Sequence, residues 1–283
     1  MKKFTSVVVV STALLCARAH AEQDLSGYWD MVVHEDFAER FGEGPEIGNY
    51  TGLPINEAAR LKTDSWDESR LTMPEHQCQP HPSYYGFRGV GQLRIVLDID
   101  DATEKVSRIR THIAWQEQAR DIWMDGRPHP SVFAPHTWQG FSTGEWDGDT
   151  LKVTTTHLKA GWIRRNGLII SDAATMTDYF SLHEQGTLLT HITVLKDDNY
   201  LAEPLIRSQH FRRTRENRIA PYPCDPVVEV IRPEGIVPHY LPGKNPYLHE
   251  FADKYGIPFE AARGGAETLY PEYFFKLKSM LRK

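Results

Sequence analysis

The chain has 283 residues, of which 40% are hydrophobic and 25% charged, and its formal net charge is −6. A chain of this length and composition can bury a core of its own, which excludes a disordered class. The acidic balance argues against nucleic acid or an anionic membrane as a partner held by general electrostatics.

The N-terminus reads as a leader. Lys2 and Lys3 precede an apolar run from Phe4 to Ala17 that is too short to span a bilayer comfortably, and Ala19-His20-Ala21 has the form of a cleavage site. This pattern predicts a secretory signal over residues 1–21, cleaved before Glu22, and places the mature protein in the periplasm or outside the cell. A lipoprotein signal through Cys16 is the alternative, disfavoured because Leu15 stands where such signals take a small residue. Loss of Lys2, Lys3 and Arg18 takes the net charge to −9. Cys78 and Cys224 then remain, and an even pair in an oxidising compartment reads as one disulfide. Two separate free thiols are the alternative.

Residues 24–33, DLSGYWDMVV, read as a first strand led by a turn. Residues 34–90 form a long insertion rich in Gly, Pro and polar residues, with one short helix near Pro54–Lys62. Residues 91–213 are the β-rich body. Leu93, Ile95, Leu97 and Ile99 share one strand face. Ile109, Thr111, Ile113 and Trp115 share another, with Arg108, Arg110 and His112 opposite. Asp147-Gly148-Asp149 marks a tight hairpin, because Asp-Gly supplies the positive φ that such a turn needs. Leu151, Val153, Thr155 and His157 then line one face of the next strand. Residues 175–182 and 188–195 form a second hairpin through Glu184-Gln185-Gly186, and 205–213 closes the run. Consecutive strands without amphipathic helices between them predict an antiparallel sandwich or barrel. Residues 214–283 change character: a Pro-rich arm is followed by two short helices, the first capped by Gly256 and the second near 271–282. The expected division is a signal over 1–21, a barrel domain over 22–213 containing the insertion, and an extension over 214–283.

Gly27-Tyr28-Trp29 on the first strand resembles the Gly-x-Trp that opens lipocalins and related calycin barrels. In those barrels the Trp closes one end against a basic residue from the last strand, a part that Arg212 or Arg213 would take here. The run from Trp138 through Gly140, Ser142, Gly144, Trp146, Gly148 and Asp149 to Leu151 also matches a W-x-G-x-S-x-G-x-W-x-G-D-T-L signature. It is similar to that of a broad group of secreted bacterial proteins and brings no reaction with it. The resemblance implies a mainly β, calycin-like antiparallel barrel with a long N-terminal insertion and a partly helical C-terminal arm.

A small barrel either fills with side chains or holds one ligand. On strand alternation Glu117 and His157 would enter an apolar interior, where burial raises a carboxyl pKa and lowers an imidazole pKa toward acid–base use. Placement at strand ends, or a bulge that turns either side chain outward, is the competing reading. Trp115, Asp121, Trp123, His136 and Trp138 flank a Pro-rich loop over 126–135 and are candidates for a ligand mouth. Trp162 and Arg164, in a second loop, are candidates for clamping an anionic group. The spacing of the histidines and cysteines matches no metal motif, and no GxSxG, phosphate-loop or dinucleotide fingerprint occurs. Three functions follow, none with a cofactor. The first is binding of a small apolar or aromatic molecule. The second is acid–base catalysis on such a molecule by Glu117 and His157, as an isomerase, lyase or dehydratase. The third is an envelope accessory role through the C-terminal arm.

Overall fold

The computed structural model describes residues 22–33, 44–73, 76–87, 91–113, 118–222, 224–225, 231, 233–235 and 237–281. The signal segment, Cys16, Trp115 and Glu117 lie outside the described residues.

Among the described residues eleven strands form in chain order: β1 (Gly27–Val32), β2 (Leu93–Ile99), β3 (Val106–Ile113), β4 (Gln118–Trp123), β5 (Phe141–Asp147), β6 (Thr150–Thr156), β7 (Gly161–Trp162), β8 (Ile169–Ile170), β9 (Thr175–His183), β10 (Leu188–Lys196) and β11 (Leu205–Thr214). Nine of them close into a barrel in the order β1-β11-β10-β9-β6-β5-β4-β3-β2, and β7 pairs with β8 alone. The protein is therefore mainly β and calycin-like, as expected. One seam differs from the antiparallel expectation. β4 and β5 pair in parallel, through Ile122↔Ser142 and Trp123↔Thr143. The connection over 124–140 brings the chain back beside the last residues of β4, and β5 then runs on in the same direction.

Period-two alternation sets the inside of the barrel. Leu93 and Ile95, Ile109 and Ile113, Leu151 and Val153, Phe180, Leu189 and Phe211 all turn inward and are buried with Trp29 and Ile122 in one apolar cluster. A second cluster joins Met176, Leu195 and Leu205 to Tyr50, Ile55, Tyr84, Leu158, Ile163, Leu168 and Ile170 from outside the barrel strands. Ile99 breaks the expected row. The β2–β3 register shifts between Asp98 and Ile99, and the Ile99 side chain ends up 60% exposed.

The barrel end is closed as the calycin resemblance implies, and the basic residue is Arg213. Its guanidinium carbon lies 4.3 Å from the centre of the fully buried Trp29 ring. The same guanidinium donates to the carbonyls of Ser26, Asp24 and Gly186. One side chain thus ties both ends of the barrel sequence to the β9–β10 turn. Arg212 points outward and pairs with Glu184.

The β5–β6 hairpin forms where Asp-Gly announced it, one residue further on. Asp147 pairs with Thr150, so Gly148-Asp149 is the two-residue loop, with Gly148 at φ 64°. Glycine at the first loop position takes the positive φ at no steric cost. The β9–β10 turn takes three successive positive φ values at Glu184, Gln185 and Gly186.

The insertion and the C-terminal segment pack against each other. Helix α1 (Glu57–Asp64) starts three residues later than expected, because Asn56, not Pro54, is the cap: its side chain accepts from the Ala59 amide. Short helix α2 (Ser83–Gly86) follows. Helices α3 (Glu250–Tyr255), α4 (Phe259–Ala262) and α5 (Pro271–Leu281) belong to the C-terminal segment, and Gly256 caps α3 at φ 62°. Asp64 of α1 takes a two-pronged ion pair from Arg263, and the Tyr50 amide donates to the Ala262 carbonyl. Cys78 and Cys224 form the expected disulfide, with Cα atoms 5.3 Å apart. Among the described residues no helix is long and apolar enough to cross a membrane.

Candidate ligand site in the barrel core

Between the two apolar clusters the inward rows turn polar. On β9 the row reads Met176, Asp178, Phe180, and on β10 it reads Leu189, His191, Thr193, Leu195. On β4 it is Gln118, Arg120, Ile122, and β5, β6 and β11 add Ser142, Thr155 and Gln209. Asp178 and Thr193 are direct cross-strand partners, and so are His191 and Gln209. The register therefore stacks these residues into one layer across the barrel.

An ion pair organises the layer. Arg120 Nη2 donates to Asp178 Oδ2 at 2.8 Å, with the two side chains only 2% and 1% exposed. Arg120 also donates through Nε to Ser142 Oγ at 2.9 Å and through Nη2 to Thr155 Oγ1 at 2.6 Å. Asp178 Oδ1 accepts from His191 Nε2 at 2.8 Å and from Thr193 Oγ1 at 2.7 Å. Burial by itself would raise the Asp178 carboxyl. The charge of Arg120, then the hydrogen bond and charge of His191, outweigh burial and hold the pKa down to about 2.

Three buried atoms of this layer have no hydrogen-bond partner among the described residues: Arg120 Nη1, His191 Nδ1 and Gln209 Oε1. Buried polar atoms are nearly always satisfied, and an unmade bond costs about 1–3 kcal/mol, so three orphans in one layer call for an occupant. Aromatic rings surround the imidazole. The His191 ring centre lies 4.3 Å from Phe87 and 4.6 Å from Phe180, and Phe87 is 6.2 Å from Phe211. Phe87 comes from the α2 segment of the insertion, not from a barrel strand. Beside it is a cavity of about 10 Å³ lined by Ser83, Phe87, Thr111, Ile113, Gln118 and Gln139.

The glycines of the β5–β6 signature have steric reasons. A Cβ on Gly140 would lie 2.6 Å from the Thr156 carbonyl, and one on Gly144 would lie 2.5 Å from Met124 Sδ. The serine of the signature, Ser142, is the one that receives Arg120.

The residues singled out in the sequence fall elsewhere. Asp121 and Trp123 alternate with Arg120 and Ile122 and so face outward. Asp121 pairs with Arg108, and the Trp123 ring lies under Arg127 at 3.6 Å. His157 leaves the inward row of Leu151, Val153 and Thr155, because its backbone adopts φ 57° and turns the ring away. Its Nδ1 meets Thr156 Oγ1 and its Nε2 meets the Ser131 carbonyl in the Pro-rich loop. His136 lies beside it, ring centres 5.3 Å apart. His129 joins this group through Thr156 and Thr143, and burial followed by the nearby His157 lowers its pKa. These histidines fasten the loop to the outside of the β5–β6 hairpin. Trp138 lies under Lys159. Trp162 packs edge-on against Trp66, and Arg164 is buried and donates to the Asn49 carbonyl, so both hold the insertion. Of the candidates among the described residues, His136 and His157 come together, and Asp121, Trp123, Trp162 and Arg164 make the separate contacts given above. Among the described residues no group of three His, Cys, Asp or Glu side chains is placed to hold a metal.

Sequence reasoning passed over Arg120, Asp178, His191 and Gln209. A signal was present in TMTDYFSLH, where Asp178 occupies the row of Met176 and Phe180. A charged residue in an apolar row marks either a strand error or a buried polar site.

Fold and site together define a closed calycin-like barrel with an ionic layer in its core. No protein-family model and no curated protein matches the chain.

Proposed function

We propose that this protein binds a small, mainly apolar or aromatic molecule inside the barrel, in the periplasm or outside the cell. One observation carries the reading: an ion pair buried in a barrel core, in a layer where three polar atoms have no partner among the described residues. Ligand sites are mostly apolar with a few converging polar groups, which describes the Phe87–Phe180–Phe211 surround of this layer. The leader pattern and the Cys78–Cys224 disulfide support an oxidising compartment. The β5–β6 signature, shared in pattern with secreted bacterial proteins, supports it as well. Native mass spectrometry of the protein purified from its own compartment, followed by a denatured run, tests the binding. A small molecule released on denaturation is expected. Protein that arrives empty and takes up no aromatic compound at millimolar concentration would sink the reading.

A second reading is acid–base catalysis, favoured by the Asp178–His191 contact. A carboxylate only accepts, so Nε2 carries a proton and the ring is held toward Asp178. That is the arrangement of a base held in one tautomer by its neighbour. The released molecule is the substrate to try. Under this reading His191→Gln abolishes its conversion and retains its binding, whereas equal conversion by both proteins would refute it.

A further inference from the structure

Resting on the binding reading above, we propose that the group anchored in the polar layer is a neutral hydroxyl carried on an aromatic ring. Charge comes first. Arg120 and Asp178 already neutralise each other at 2.8 Å in a place where both are almost fully buried. A carboxylate or phosphate entering the layer would bring a charge with no counterion of its own, and an unpaired buried charge is costly. An anion site built on an arginine would instead leave the guanidinium free of a resident carboxylate.

Hydrogen-bond polarity narrows the group further. Arg120 Nη1 can only donate. Gln209 Oε1 can only accept, and His191 Nδ1 accepts in the tautomer that carries its single proton on Nε2. The occupant must accept one bond and donate at least one. A hydroxyl oxygen does both; a carboxylate, an ether or a ketone does not donate. His191 and Gln209 are direct partners across β10 and β11, and Arg120 and His191 bond the two oxygens of one aspartate, so the three groups belong to one layer.

The ring follows from what surrounds the imidazole. Phe87 and Phe180 both lie against His191 at stacking distance. A planar ring fits such a surround better than an aliphatic chain, because ring pairs gain from offset and edge-to-face contact. Phe87 follows the α2 segment, whose polar ties to the rest include the Ser83 amide on the Trp138 carbonyl, Tyr84 Oη on the Lys159 carbonyl and Gln139 Nε2 on the His81 carbonyl. It borders the cavity that Gln118 and Thr111 line. That cavity has room for about one water, so a ring enters only with displacement of this segment, which carries no barrel ladder bond.

The test uses one ring with three heads. Phenol, benzene and benzoate are titrated into the mature, disulfide-intact protein by calorimetry, with amide NMR to place the response. Phenol is expected to bind at least about tenfold more tightly than either of the others, with the largest shifts at Arg120, His191 and Gln209. Gln209→Met is expected to narrow the gap between phenol and benzene while leaving benzene affinity unchanged. Benzoate binding as tightly as phenol would overturn the neutral-head argument, and benzene doing so would overturn the polar anchor; in both cases the binding reading survives. Failure of all three to bind would overturn both, leaving the layer a structural feature served by water.

Discussion

Removing one member of the Arg120–Asp178 pair should be far worse than removing both. Asp178→Leu leaves the Arg120 guanidinium in a site where its side chain is 2% exposed, and Arg120→Met leaves a carboxylate that is 1% exposed. Breaking a buried pair from one side costs about 3–5 kcal/mol, since the buried survivor has lost its counterion. Two independent losses would sum to about 6–10 kcal/mol, comparable with the whole stability of an ordinary domain. The double variant strands no charge. It loses the bonds to Thr193 and His191, each worth about 1 kcal/mol net, while Ser142 and Thr155 keep their mutual hydrogen bond at 2.9 Å. The expected cost of the double is therefore at most about 3 kcal/mol, with a coupling of several kcal/mol between the sites. Urea unfolding of the four proteins, followed by far-ultraviolet circular dichroism with the disulfide intact, measures it. A double variant as damaged as the sum of the singles, or an Asp178→Leu cost below about 1 kcal/mol, would show that the layer is hydrated and refute the reasoning.

The same carboxylate sets an acid limb. Its folded pKa of about 2 lies below the ordinary value of 3.8, so its contribution is fully present above pH 3.8 and is lost as the pH falls toward 2. That contribution is on the order of 2 kcal/mol, and an Asp178→Asn protein should show a correspondingly flatter stability profile over this window when unfolding is measured at each pH. The Cys78–Cys224 bridge spans 146 residues, and loop-closure entropy assigns it about 5 kcal/mol. Reduction, or Cys224→Ser, should therefore lower the thermal midpoint sharply, and an unchanged midpoint would show that the arm adds no constraint to the unfolded chain. Arg213→Met should cost about 2–4 kcal/mol, because it strips three carbonyl contacts and the cation over Trp29. Arg212→Met, exposed beside Glu184, should cost less than about 0.5 kcal/mol and serves as the control.

Much of the barrel is legible residue by residue. Alternation over Leu93–Leu97, Ile109–Ile113 and Leu151–Thr155 names the inward rows, Asp-Gly marks the β5–β6 hairpin to within one residue, and Gly-x-Trp anticipates the clasp at Arg213. These features depend on local rules: strand pleat, turn φ and one aromatic next to one cation. Where a local rule is broken by a single backbone torsion, the reading fails, as at His157, whose φ of 57° turns it out of its row. Closure through the parallel β4–β5 seam and the ionic layer have a different origin. Arg120 and Asp178 are 58 positions apart, and Ser142, Thr155, His191 and Gln209 arrive from four further strands. A charged side chain can turn inward only if its partners reach it there, since a lone buried charge is driven back to water. Alternation assigns each residue to a row, but which rows meet depends on how nine strands close, and that closure is a property of the assembled sheet.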